Sequence, residues 1–72
     1  MLIKIGDVVE TDHKIAKIVG IEKVLPNEKH GYDCLEANIG EVGSDRRLEY
    51  VVDLDNGHWC YANQIMRMIN ER

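Results

Sequence analysis

Residues 48–61, Leu-Glu-Tyr-Val-Val-Asp-Leu-Asp-Asn-Gly-His-Trp-Cys-Tyr, constrain this chain more than any other stretch. Leu48, Tyr50, Val52 and Leu54 alternate with Glu49, Val51, Asp53 and Asp55, the two-residue period of a half-buried strand. Asn56-Gly57 follows, a pair that tolerates positive φ at both centres of a type I′ turn. That turn predicts Asp55 opposite His58, Leu54 opposite Trp59, Asp53 opposite Cys60 and Val52 opposite Tyr61. Cross-strand partners share a face. Trp59 and Tyr61 are therefore expected inside, with Trp59, near the tip, the one most able to reach the surface. His58 and Cys60 are expected outside beside Asp53 and Asp55. A slip of one residue would invert all of this.

A hairpin alone does not hold a fold, so the rest of the chain must supply strands. Its 72 residues make one domain, near the lower size at which a core suffices without staples. Closure into a small barrel suits that length because it removes sheet edges. Phe is absent, and the apolar content rests on Ile, Val, Leu and three Met. Ile3, Ile5 and a Gly6-Asp7 turn lead into Val8-Val9. Residues 14–24 form the longest strand candidate, with a bend or bulge expected where the alternation slips at Ile18-Val19 beside Gly20. Leu25-Pro26-Asn27 stops it. Within residues 26–46, Leu35, Ala37 and Ile39 alternate with Cys34, Glu36 and Asn38, which favours a short strand over a short helix. After Tyr61, Ala62-Asn63-Gln64-Ile65 reads as one tight helical turn capped by Asn63. Residues 66–69 then form a last short strand, with a C-terminal helix from Asn63 as its rival.

Charge and cysteine count narrow the classes of partner. The formal charge of −4 removes the long-range attraction on which generic nucleic-acid binding depends, although Lys14, Lys17, Lys23 and Lys29 could make a local basic patch. Two cysteines, Cys34 and Cys60, are not a disulfide framework. No apolar run has the length to span a bilayer, and the opening residues lack a signal-peptide core. A cytoplasmic location with reduced thiols is expected.

Gly6-Asp7-Val8-Val9, Lys17-Ile18-Val19-Gly20-Ile21, Tyr50-Val51-Val52-Asp53-Leu54-Asp55-Asn56-Gly57 and Ala62-Asn63-Gln64-Ile65 together resemble SH3-like small barrels. The nearest types are Tudor- or KOW-like domains and the small SH3-like proteins of bacteria and their phages. The resemblance implies an all-β barrel of five or six strands. A Gly-Asp turn leads strand one, strand two is bent, an Asn-Gly hairpin joins strands three and four, and a tight helical turn precedes strand five. It covers residues 1–72 as one domain, with 26–46 an expanded loop between strands two and three. Such barrels bind proteins, RNA, DNA or methylated side chains, so the fold names no function. KOW domains are usually basic, and this chain departs from them.

Four constellations carry possible chemistry. His58 and Cys60 with His30 and Cys34 could make a zinc site, but neither pair has the usual ligand spacing; no metal and no cofactor is implied. Tyr50, Trp59 and Tyr61 could cage a quaternary ammonium group, although the expected register makes them core. Cys60 beside His58 suggests nucleophile and base, yet no third orienting group or oxyanion hole is evident, so no enzyme is expected. Glu41, Asp45, Glu49, Asp53 and Asp55 could dock a basic partner. The reading is a non-enzymatic protein-interaction module, an accessory or regulatory protein of a bacterium or phage. The expected contacts are Tyr32, Leu35, Asp53, Asp55, His58 and Trp59, with Tyr32 offered by the long 26–46 segment. The alternative is nucleic-acid or nucleotide binding through the lysine-bearing strand and Tyr32 or Trp59. Self-association through an edge strand or Met66, Met68 and Ile69 is a third.

Overall fold

A computed structural model describes residues 1–12, 14–24 and 31–69, with Lys14 described by its backbone alone. His13, the Leu25-Pro26-Asn27 stop, Lys29 and His30 lie outside the described residues. The described chain is all-β apart from two 3-10 turns. In order it runs β1 (Leu2–Lys4), β2 (Val8–Thr11), β3 (Lys14–Lys23), β4 (Tyr32–Cys34), β5 (Glu36–Asn38), a 3-10 turn (Asp45–Glu49), β6 (Tyr50–Leu54), β7 (Trp59–Tyr61), a second 3-10 turn (Ala62–Gln64) and β8 (Arg67–Met68). No helix among the described residues is long and apolar enough to cross a membrane.

β3 is the spine. The larger sheet has the order β7-β6-β3-β2-β8, with β4 also on β3, and β1 pairs with β5 in a second sheet of two strands. Every pairing is antiparallel. One edge of β3 carries β2 along Lys14 to Lys17 and then β4 along Ile21 to Lys23, while the other carries β6. Two partners can share one edge because β3 bends. The β3–β6 register shifts between Ile18 and Gly20, at the bulge that the broken alternation announces. Gly20 has a second reason to lack a side chain. A Cβ there would stand 2.8 Å from Asp53 Oδ2.

Many of the inward positions, among them Val52 and Leu54, are those the two-residue period assigns. Ile3, Val9, Ala16, Ile18, Ile21, Ala37, Ile39, Val52, Leu54, Cys60, Ala62 and Ile65 form one core. Each fully buried Ile, Val or Leu stabilises the fold by roughly 1.5–3 kcal/mol relative to exposure. Arg47 joins them at 1 % exposure. Its guanidinium donates to three backbone carbonyls, from Nε to Glu41 (3.1 Å), Nη1 to Ile65 (2.9 Å) and Nη2 to Gly40 (3.3 Å). A buried donor array is tolerated only when satisfied in this way. Arg47 thereby ties the 40–41 loop to the end of the second 3-10 turn.

Three expectations are corrected here. The 54–58 loop has three residues rather than two. Leu54 N–H donates to His58 O (2.9 Å) and Gly57 N–H to Leu54 O (3.3 Å), with Gly57 at φ 88°. Those bonds describe a turn followed by a left-handed glycine, the bulged alternative to a two-residue hairpin. Asn56 Oδ1 accepts from His58 N–H (3.0 Å) and steadies it. The register becomes Val51 to Tyr61, Val52 to Cys60 and Asp53 to Trp59. Cys60 therefore faces in, and Trp59 and Tyr61 face out. Leu48, expected on the inner face, is 54 % exposed because it belongs to the first 3-10 turn and not to β6. Asn63 does not cap the second 3-10 turn; that turn starts at Ala62, and Gln64 reaches back to Tyr61 instead. Of the strand expected over 34–39 only Glu36–Asn38 forms as β5, with Cys34 ending β4 and Leu35 bending between them, and the last short strand is present as β8, so neither helical rival forms.

Candidate functional site

The register change assembles the site. Cross-strand partners on one face form rows. One row runs Asp33, Glu22, Val51, Tyr61 across β4, β3, β6 and β7, and the next runs Gly20, Asp53, Trp59. Trp59 is 55 % exposed and Tyr61 44 %. Large aromatics left this open on a strand are an unusual expenditure of apolar area. Their rings meet edge to face, with centroids 5.6 Å apart and planes at 77°, an arrangement worth about 0.5–1.5 kcal/mol beyond area burial. All the ionisable side chains in the two rows other than Tyr61 itself are carboxylates: Asp33, Glu22 and Asp53. Gly20 leaves room for the Asp53 carboxylate to lie over its Cα.

A recess of about 440 Å³ opens at the tip of this face, lined by Gly57, His58, Trp59, Tyr61 and Gln64. Gln64 is held at both ends of its amide. Its Oε1 accepts from Tyr61 N–H and its Nε2 donates to Asp12 Oδ2, each at 2.9 Å. Behind the face, burial first, then the Asp12 and Asp53 carboxylates, push the Cys60 thiol up from 9.0 to about 11. A thiol so held stays protonated at neutral pH and is a poor nucleophile. Cys60 is buried on the core side while His58 is exposed at the end of the hairpin loop. Among the described residues no group of three or more His, Cys, Asp or Glu side chains gathers as metal ligands; His30 lies outside them.

The six expected contact residues do not converge. Asp53 and Trp59 are direct cross-strand partners, and His58 lines the recess beside them. Asp55 sits in the exposed hairpin loop, where its Oδ1 accepts from Lys17 N–H (3.0 Å). Tyr32 lies on the opposite face, in a row with Lys23 and Tyr50. There the Lys23 ammonium stands 5.9 Å from the Tyr50 ring centroid and 3.9 Å from Glu49 Oε1. Tyr50 therefore cannot close a cage with Trp59 and Tyr61. Leu35 is 82 % exposed at the bend between β4 and β5, where its carbonyl accepts from Ile5 N–H (3.1 Å). The expected acidic surface also divides, since Glu49 pairs with Lys23 and only Asp53 belongs to the aromatic rows.

Glu22, Asp33, Asp12 and Gln64 were not singled out from the sequence. The signal for them was indirect: all four depend on the register and on which strand neighbours β3. Compared with protein-family models, curated proteins and solved structures, the chain matches none.

Proposed function

We propose that the chain is a non-enzymatic protein-interaction module, an SH3-like barrel that binds a cationic segment of a protein partner on the Trp59–Tyr61 face. The observation that carries the reading is the open edge-to-face ring pair set in rows whose other charges are negative. Rings offer their electron-rich faces to ammonium and guanidinium groups, and carboxylates steer and orient the same groups. The SH3-like reading is supported by the order of elements. Counting β2, β3, β6, β7 and β8 as strands one to five, a turn precedes strand one and strand two is bent. The Asn-Gly hairpin joins three and four, a 3-10 turn precedes five, and strand one lies between two and five. A role as a bacterial or phage accessory protein in the cytoplasm, with Cys34 and Cys60 as free thiols, belongs to the same proposal.

The test is fluorescence anisotropy of a labelled peptide rich in Lys and Arg with interspersed apolar residues, titrated at low and at physiological salt. Binding that weakens with salt and is lost in Trp59→Ala supports the reading. Equal affinity for an acidic peptide of the same length, or no effect of Trp59→Ala, would overturn it. Single-stranded RNA, single-stranded DNA and duplex serve as competitors. Nucleic acid binding in preference to the peptide would favour the alternative, which the carboxylate-bearing rows oppose electrostatically.

A further inference from the structure

Among the described residues β7 is an edge strand, the last in the order β7-β6-β3-β2-β8. In an antiparallel ladder the backbone groups of successive residues point alternately toward the neighbour and away from it. Because Leu54 N–H donates to His58 O, Val52 and Cys60 face each other, and the backbone groups of Trp59 and Tyr61 point to the open edge. Such an edge is a template for another strand. Here one of its donors is already taken. Tyr61 N–H donates to Gln64 Oε1, and Gln64 Nε2 donates in turn to Asp12, 52 residues away in the chain. The Gln64 carbonyl thus stands where an added strand would place its own. The Asp12 carboxylate lies close enough to β7 to be felt by the Cys60 thiol.

We propose that Gln64, held by Asp12, is a positioning residue of the binding face: it closes the β7 edge to strand addition and fixes Tyr61 against Trp59. A partner is then recognised through the ring pair and the carboxylates rather than by backbone pairing. The partner clause rests on the function proposed above, whereas edge closure and ring geometry are measurable with no partner present.

The experiment compares Gln64→Ala, Asp12→Ala and Asp12→Asn with the parent chain, using far-UV circular dichroism to confirm folding. The readouts are the near-UV band of Trp59, light scattering against concentration, and anisotropy with the Lys/Arg-rich peptide. Gln64→Ala and Asp12→Ala are expected to lose near-UV intensity, and Gln64→Ala to self-associate as concentration rises. Peptide affinity should fall about fivefold in Gln64→Ala, the scale of one hydrogen bond. Asp12→Asn keeps an accepting oxygen for Gln64 and should keep the near-UV band even where its lost charge weakens peptide binding. Gln64→Ala and Asp12→Ala proteins that retain the parent near-UV band and stay monomeric would overturn the proposal. If Gln64→Ala does not fold, the exposed Asp12 pair decides, and an Asp12→Ala spectrum equal to the parent's overturns it. Loss of the near-UV band in Gln64→Ala and Asp12→Ala, together with a parent chain that binds no peptide, would defeat the proposed function and leave the clamp supported.

Discussion

Asp53 stands directly across from Trp59, and its carboxylate occupies the space that a side chain on Gly20 would fill. One strand thus empties a position so that its neighbour can hold a charge beside an exposed ring. Gly20→Ala should push that carboxylate aside and crowd Asp53 Cβ, which would stand 3.3 Å from the new methyl and does not move when the side chain turns, so a cost to the fold of about 1 kcal/mol is expected. Peptide affinity on the Trp59 face should fall by more than thermal stability does. Urea denaturation and anisotropy on the same variant separate the two.

Gly57 at φ 88° sets the three-residue loop. An L side chain is disfavoured there by roughly 1–2 kcal/mol. Gly57→Ala should lower the unfolding free energy by that amount, read as a lower urea midpoint with the slope unchanged, while Gly43→Ala in the 40s loop reports the same backbone penalty outside the hairpin.

Arg47 is the most demanding residue in the interior. Arg47→Met keeps the length of the side chain but leaves the Glu41, Gly40 and Ile65 carbonyls without this donor. Glu41 O still accepts from Ser44 N–H (2.9 Å) and Gly40 O from the Met1 ammonium (3.1 Å), so the cost falls chiefly on the Ile65 carbonyl and a loss of about 1–3 kcal/mol is expected. Arg47→Lys should recover little, because an ammonium cannot span three carbonyls as the planar fork does. Chemical denaturation of both variants checks it.

Cys60 makes stability fall in alkali. Its folded thiol sits near 11 and the unfolded one near 9.0, so between those values the unfolded chain has lost the proton that the folded chain keeps. Unfolding then releases protons, and stability declines from about pH 9 toward pH 11. Subtracting the pH profile of Cys60→Ala removes the contribution of lysines and tyrosines. A thiol reagent at neutral pH should label half-buried Cys34 well before Cys60.

Much of the fold was legible because it follows from alternation. The slip at Ile18-Val19 announced the β3 bulge, and Ala62-Asn63-Gln64 announced the 3-10 turn. The hairpin register was not, because Asp55-Asn56-Gly57 serves a two-residue and a three-residue loop equally well and nothing local chooses between them. That one ambiguity reversed Trp59, Cys60 and Tyr61 together. Arg47 was illegible for another reason: in Asp-Arg-Arg-Leu-Glu it looks like a solvated charge, and its burial depends on carbonyls brought from Gly40, Glu41 and Ile65. Tyr32 was placed by its aromatic character alone, which cannot tell one face of a sheet from the other.

Trp59 is the single tryptophan of the chain, so collisional quenching of its emission reads its surroundings directly. The native protein should be quenched readily, and caesium should be more effective relative to iodide than it is on free tryptophan, because Asp53 and its neighbours gather cations and repel anions. Asp53→Asn should shrink that preference. Native emission that is shifted to the blue, resists both ions and becomes quenchable only on unfolding would place Trp59 in the core and contradict the account.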